Sequence, residues 1–326
     1  HPIEYVSAIR LITKQNRMVS VTQAFAVDLT GQVCADQFQG EFYGGGSTQP
    51  EFIRGAAYSV GGKPIICLPS TTDDGNISRI RPLLQAGEGV TIARSDVHYV
   101  ITEYGIAYLF GKSIKERTLS LIEIAHPEFR SWLLEEAKKL NYLPQTQMLK
   151  SSVAYPVREE RTVILKNGTS IMIRPARASD VTGLQDIFYD MSKEDVYTRF
   201  FRNLRSLSAS EAQFMCNVNY ETDMAFLAVA GTRENEKIVG SSCYVGNLST
   251  NTAEVAYMIR SEWQCMGIGK LLQERMKEYA KGRGIRGFTG EILAGNTKMI
   301  KLAKSACNNV SLKSQGEYFE FTILLD

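Results

Sequence analysis

The sequence predicts an α/β protein built as two domains in succession. Short β-branched apolar runs bounded by Gly, Pro, Asp or Asn alternate with segments of helical periodicity, and one stretch without periodicity interrupts them. The 326 residues also suffice for about two domains of ordinary size. In the first part, Met18–Val27, Ile65–Leu68 and Val97–Ile101 have the length and composition of strands. Two helices follow, Ser113–Ala125 and Pro127–Leu140, the second opening on a proline suited to a first turn. The run QTQMLKSSVAYPVREER (145–161) carries a proline and mixed charge but no apolar period, and we place a linker there. The expected domains are therefore 1–144 and 162–326.

The pattern restarts after the linker. Thr169–Pro175 reads as a strand, and Ser179-Asp180 opens a helix whose Val181, Leu184, Ile187 and Phe188 share one face. Ala225–Ala230 and Ile238–Val245 read as neighbouring strands joined by the charged turn Arg233–Glu236, and Glu254–Ile259 as another. A long amphipathic helix spans Gly269–Lys281, with Leu272, Met276 and Ala280 recurring every four residues. Strand Phe288–Leu293, helix Thr297–Ala306 and strand Tyr318–Leu324 complete the chain, which shows no internal repeat of 20 to 50 residues.

Composition narrows the function. The 37 Lys plus Arg against 35 Asp plus Glu leave a net charge of +2, which gives no bulk reason to expect nucleic acid or an anionic membrane. No apolar run approaches the ~20 residues of a bilayer crossing, and the start His1-Pro2-Ile3-Glu4 is unlike a signal peptide, so a cytoplasmic location is expected. His1 in place of an initiator Met leads us to expect that the natural protein continues upstream. The six cysteines are scattered singly and the three histidines are dispersed, so reduced thiols and no metal site are expected.

Three glycine-containing stretches compete as phosphate sites. Gly282-Arg-Gly284-Ile-Arg-Gly287 fits G-x-G-x-x-G but follows a helix and precedes a strand, the reverse of dinucleotide-binding order, and reads as a helix stop. Gln264-Cys265-Met266-Gly267-Ile268-Gly269-Lys270 lies between a strand and a helix start, where free N–H groups and the helix dipole favour a phosphate. It is not a Walker loop, because Gln264 stands for the first Gly and Leu271 for the Ser or Thr that holds magnesium. Nor is it a Rossmann fingerprint, since Leu272 occupies the third glycine position. A metal-free pyrophosphate cradle remains, beside the plainer reading of a glycine-eased turn. The third stretch, Gly44-Gly45-Gly46-Ser47-Thr48-Gln49, belongs to the first domain.

AEVAYMIRSEWQCMGIGKLLQERMKEYAKGRGI resembles the acetyl-CoA-binding motif of the GNAT N-acetyltransferases, with Q-x-x-G-x-G present as Gln264, Gly267 and Gly269. IRPARASDVTGLQDIFYDMSKEDVYTRFF and GEILAGNTKMIKLAKS resemble the bacterial protein-lysine acetyltransferase branch. The resemblance covers about 160–326. It implies a GNAT fold with a mixed sheet, acetyl-CoA as cosubstrate, and direct attack by an amine, with Glu254 as base. It also implies an oxyanion donor in the backbone near Met258, pantetheine contacts from Met258 and Ile259, and a cradle formed by Gln264, Cys265, Met266, Gly267, Ile268, Gly269 and Lys270. Asn296 resembles an asparagine near the coenzyme, although a plain helix N-cap is equally good physics. Thr297–Ala306 contains no tyrosine to protonate the leaving thiolate, so that role is unassigned.

The first domain resembles the C-terminal half of the acetyl-CoA hydrolase/4-hydroxybutyrate CoA-transferase family, an open α/β fold. The segments AVDLTGQVCAD (26–36), EFIRGAA (51–57), LPSTTDDGNISRI (68–80) and RSDVHYVITEYGIAYLFGKSIKERTLSLIEIAHPEFR (94–130) carry the resemblance. The family's glutamate nucleophile would lie before His1, and Ser47-Thr48 stand where its G-x-G-G-Q-type loop has glycines. Glu103 reads as a structural acid, and His98 and His126 as packed or capping residues.

The favoured function is an acetyl-CoA-dependent N-acetyltransferase acting on an amine, a protein lysine first among candidates, alone or as an oligomer. An acyl-CoA transferase or acetyl-CoA hydrolase regulated by its GNAT domain, and a non-catalytic CoA sensor, stand as alternatives.

Overall fold

The computed structural model describes residues 1–45, 48–149, 155–232, 235–247, 250–305 and 310–325. Of the features expected from sequence, Gly46 and Ser47 of the glycine loop, 150–154 of the linker, Arg233 and Glu234 of the turn, and Ala306 and Cys307 lie outside these residues. The chain divides into two units, His1–Ala154 and Tyr155–Asp326, each with its own apolar core.

In the first unit, Val19–Gln23, Lys63–Cys67 and Tyr99–Thr102 pair in parallel, and Gly105–Tyr108 closes the sheet as an antiparallel hairpin. The apolar run Met18–Val27 is two strands rather than one. Ala24 N–H still bonds Cys67 O, but Phe25 N–H bonds Cys34 O, so Ala26–Asp28 joins a separate small sheet with Val33–Cys34 and Ile80–Arg81. The helix Ile114–Glu123 starts at Ser113 in a reciprocal capping box with Glu116, and Pro127–Lys139 opens on its proline.

A buried guanidinium ties this unit together. Arg117 donates to Thr30 O at 2.7 Å, Leu109 O at 2.8 Å and Arg94 O at 2.7 Å, joining three loops. Gly31 makes this possible: its φ is +93°, and a Cβ there would overlap Arg117 Nη2. Gly31→Ala should therefore cost roughly 1–3 kcal/mol of unfolding free energy. Urea denaturation read by circular dichroism measures it, and an unchanged midpoint would contradict the steric account.

The second unit is one mixed sheet. Its order is Arg161–Ile164, Ser170–Pro175, Asp223–Ala230, Lys237–Asn247, Thr252–Ile259, Gly287–Leu293, Tyr318–Leu324, Val310–Ser314. All neighbours are antiparallel except Thr252–Ile259 with Gly287–Leu293, which are parallel and joined by the crossover helix Ile268–Gly282. That helix buries Ile268, Leu272, Met276, Tyr279 and Ala280. Close approach needs Gly240 in the sheet below, where a Cβ would come within 3.1 Å of Ile268 Cγ2. At its far end, the helix stops at Gly282 and the chain turns at Gly284 with φ +77°. Val181–Asp190 buries the four apolar residues that its period selects.

The segment from Tyr155 is held to this second unit. The Tyr155 hydroxyl donates to Glu160 Oε1 at 3.0 Å, and the Arg177 guanidinium lies 4.3 Å from its ring centre. Burial pushes the Tyr155 phenol up to about 12. Edge strand Arg161–Ile164 follows, starting at the last residue of the stretch expected to be linker.

Candidate active site

The site begins with a failure of strand pairing. The parallel ladder comprises only Thr252 with Gly287, Ala253 with Phe288, and Glu254 with Thr289. Beyond Glu254 the strands part, although Val255–Ile259 stays in register with Gly240–Tyr244 and Gly290–Leu293 with Tyr318–Phe321. The backbone groups along the open edge of Val255–Ile259 therefore face a cleft instead of a neighbour. That cleft holds about 820 Å³.

The turn 264–269 lies against the same cleft. Gly267 takes φ +88° and caps the helix Ile268–Gly282 without any side-chain acceptor, so the first-turn N–H groups lack an intrahelical partner. A Cβ at Gly267 would meet nothing within 4 Å, whereas one at Gly269 would press Ile259 Cδ1 at 3.2 Å and Leu302 at 3.5 Å. Open space thus lies over the first glycine and close packing under the second. Gln264 joins the two sides. Its Nε2 donates to Asp195 Oδ2 at 3.1 Å and to Ile259 O at 3.4 Å, and its Oε1 accepts from Lys298 Nζ at 2.8 Å.

Of the residues expected from sequence, Glu254, Met258, Ile259, Gln264, Cys265, Gly267, Gly269 and Asn296 line the cleft. Met266, Ile268 and Lys270 are not among its lining residues. Ile268 is buried in the core, as the inward face of an amphipathic helix requires. Met266 Sδ lies 3.9 Å from Asn167 Nδ2. Lys270 Nζ sits 3.8 Å from Glu274 Oε1, one helical turn on, and its side chain is 62% exposed. Lys298 and Lys301 are the lysines that line the cleft. Asn296 acts as an N-cap, its Oδ1 accepting Met299 N–H at 3.0 Å, while also lining the cleft.

The structure adds a wall that sequence reasoning missed. Helix Lys193–Phe200 and the residues after it contribute Asp195, Arg199, Phe201 and Arg202. The available signal was Ser192 three residues before Asp195, a cap confirmed by the 3.0 Å bond from Asp195 N–H to Ser192 Oγ. Arg199 stacks on Phe200 at 4.9 Å. Near it, burial pushes the Cys243 thiol up, with the Glu254 charge adding to the effect and Arg199 opposing it.

Strand alternation assigns the faces. Tyr257 and Ile259 lie opposite Ser242 and Gly240, on the face covered by the crossover helix, whereas Glu254, Ala256 and Met258 take the other. Thr289 is level with Glu254, so Glu291 shares the Glu254 face, and both carboxylates line the cleft. The Tyr257 hydroxyl is buried and has no hydrogen-bond partner among the described residues. Burial pushes this phenol well up.

In the first unit, Glu103 is a structural acid: it accepts Ser70 N–H at 2.9 Å and Ser70 Oγ–H at 2.5 Å. Burial would raise its carboxyl, but the Ser70 bonds and nearby backbone hold it below the usual range. His98 packs 4.2 Å from the Phe110 ring, and burial lowers its imidazole. His126 is the N-cap residue of Pro127–Lys139 but makes no side-chain cap bond. Among the described residues no cluster of three or more His, Cys, Asp or Glu is placed to hold a metal, and no helix is long and apolar enough to cross a membrane.

Comparison with known proteins follows the division into two units. Residues 1–137 match the acetyl-CoA hydrolase/transferase C-terminal domain, and residues 192–308 the acetyltransferase (GNAT) family. A 4-hydroxybutyrate coenzyme A transferase of Clostridium kluyveri is 47% identical over 139 residues, 43% of this chain and 32% of that protein. The chain thus spans about a third of the length of such curated relatives. An acetyltransferase of Pseudomonas aeruginosa is 24% identical over 138 residues, 42% of this chain and 74% of that protein. Among solved structures, the GNAT domain of S. lividans PAT aligns with a TM-score of 0.48 at 25% identity, covering 52% of this chain and 99% of that one.

Proposed function

Because the chain joins an acetyl-CoA hydrolase/transferase C-terminal domain to a GNAT acetyltransferase domain, we propose that its second unit transfers acetyl from acetyl-CoA to an amine, a protein lysine being the favoured acceptor. The observation that carries this reading is the parting of two parallel strands at Glu254, beside a glycine turn that ends on an uncapped helix. A thioester carrier's arm can use the backbone groups along Val255–Ile259, while its pyrophosphate takes the N–H groups that follow Gly267. Gln264 and Lys298 supply polar contacts at the same turn.

An amine is protonated near neutral pH and cannot attack until it loses a proton. In this reading Glu254 accepts it, directly or through water. The amine nitrogen then bonds to the thioester carbon, a backbone N–H near Met258 stabilises the developing oxyanion, and the carbon–sulfur bond breaks to leave CoA as its thiolate, while the nitrogen sheds its second proton to solvent as the amide forms and the thiolate takes one proton back from solvent. The first unit is read as an acyl-CoA-handling partner of this reaction, which its likeness to CoA transferases supports.

Calorimetric titration of the full chain with acetyl-CoA tests the cradle. One equivalent should bind, and Gly267→Val, which forces a β-branched residue to φ +88°, should weaken binding at least about tenfold. Mass spectrometry of lysate proteins incubated with the chain and acetyl-CoA should then find new acetyl-lysines. Absence of binding by the unaltered chain would end this reading.

A further inference from the structure

We infer that Asp195 is a positioning residue for the coenzyme: it holds Gln264 and Lys298 in the arrangement that receives the diphosphate, although its own charge opposes that ligand. This rests on the acetyl-transfer reading above and gives the site a contributor from outside the glycine motif.

The observation is a carboxylate that charge alone would not place here. Asp195 lines the same cleft as Gln264, Gly267 and Lys298, where the diphosphate is to sit. Like charges repel, so its presence weakens coenzyme binding unless it contributes something that outweighs the repulsion. Its contacts show what that is. A glutamine amide has two N–H donors and one carbonyl acceptor, and all three are assigned here. Gln264 Nε2 donates to Asp195 Oδ2 at 3.1 Å and to Ile259 O at 3.4 Å, which turns Oε1 toward Lys298 Nζ at 2.8 Å. The opposite orientation would set the amide oxygen against a carboxylate and a carbonyl, and the N–H groups against an ammonium. Of the two acceptors that fix the amide, Asp195 makes the shorter bond and carries the charge.

Asp195 is in turn fixed from its own helix. Ser192 Oγ accepts its N–H at 3.0 Å and donates to its Oδ2 at 2.9 Å, while Oδ1 stands 3.7 Å from Lys298 Nζ. The Lys298 side chain is 67% exposed, and an ammonium has three donors, so one bond to Gln264 leaves it able to meet an anion at the turn. Without these two partners its long side chain would spread over many rotamers, and coenzyme binding would have to order it. Preorganisation and repulsion therefore act on affinity with opposite signs, and the sign of a measured change separates them.

The test is calorimetric titration of the full chain with CoA. Asp195→Ala should raise the Kd about tenfold, whereas removal of a repelling charge alone would lower it. Asp195→Asn keeps an acceptor for Gln264 and should recover part of the loss. Gln264→Ala should itself bind about tenfold more weakly, within calorimetric range, and adding Asp195→Ala to it should leave the Kd unchanged or lower it, because only the repulsion remains to be removed. Asp195→Ala should melt within about 2 °C of the parent, since Ser192 still caps the helix. Should it melt lower, the Gln264→Ala background still decides, because a defect in folding would persist there. A Kd for Asp195→Ala equal to or below that of the parent would overturn the positioning role and leave the cleft reading intact. So would an undiminished tenfold loss in the Gln264→Ala background. Failure of the unaltered chain to bind CoA would overturn both.

Discussion

Glu254→Gln should lower kcat/KM for acetyl transfer by about 10²- to 10⁴-fold, the range for losing a positioned general base, while leaving the Kd for acetyl-CoA unchanged. The substitution keeps shape and hydrogen-bonding capacity but cannot take a proton. Two further features make the expectation specific. First, the amine's lone pair becomes available without a base as pH approaches the ~10.4 of a free lysine, so the gap between variant and parent should narrow toward that pH. Second, Glu291 is an internal rival. It lines the same cleft and, by register with Thr289 beside Glu254, shares the same face. Glu291→Gln should keep most of the activity. If the two variants exchange these behaviours, the base is Glu291; if both retain full rate, no cleft carboxylate on this face is the base.

Asp195, the third carboxylate of the cleft, is a weaker rival because its oxygens are already engaged. It accepts from Ser192 Oγ at 2.9 Å and Gln264 Nε2 at 3.1 Å, and Lys298 Nζ stands 3.7 Å away. A carboxylate held in this way positions Gln264 across the turn. The exposed Glu254 has no tie of this kind among the described residues and lies at the point where the strands diverge.

How far such an arrangement can be read from sequence depends on whether it is local. The crossover helix was legible because Leu272, Met276 and Ala280 recur at its period, and all three are buried. The glycine turn was legible because φ +88° at Gly267 is a demand that a single residue answers. Helix Lys193–Phe200 was not: among KEDVYTRF only Val196 is buried, so there is no stripe to detect and only the Ser192 cap marks it. Nor was the division of Met18–Val27 into two strands, since an apolar run does not record which neighbour each residue pairs with. The parting at Glu254 is likewise a property of two strands brought together by a helix. The sequence motif marks its position, but only the register shows that pairing stops there.

Asp180→Ala should destabilise the second unit by about 3–5 kcal/mol, the cost of leaving a buried charge unmatched. Arg174 is 2% exposed and meets Asp180 through two parallel bonds of 2.8 Å, with Glu236 3.1 Å from the same guanidinium. Asp180 also accepts Arg177 N–H at 2.7 Å, so one carboxylate fixes both the strand end and the start of the helix Val181–Asp190. Burial alone would raise the Asp180 carboxyl, but Arg174 overrides it and holds the group below its ordinary value. A depressed carboxyl contributes stability above its unfolded value, near ~4, and loses it as pH falls through the folded value. The parent should therefore lose stability on acidification below about pH 4 more steeply than Asp180→Ala. Urea unfolding followed by Trp263 fluorescence in a Trp132→Phe background isolates the second unit, because these are the chain's two tryptophans. Arg174→Met combined with Asp180→Leu should recover much of the loss, since an apolar pair needs no solvation. A double variant as unstable as the single one would mean that the carboxylate's bond to Arg177, rather than charge pairing, carries the stability.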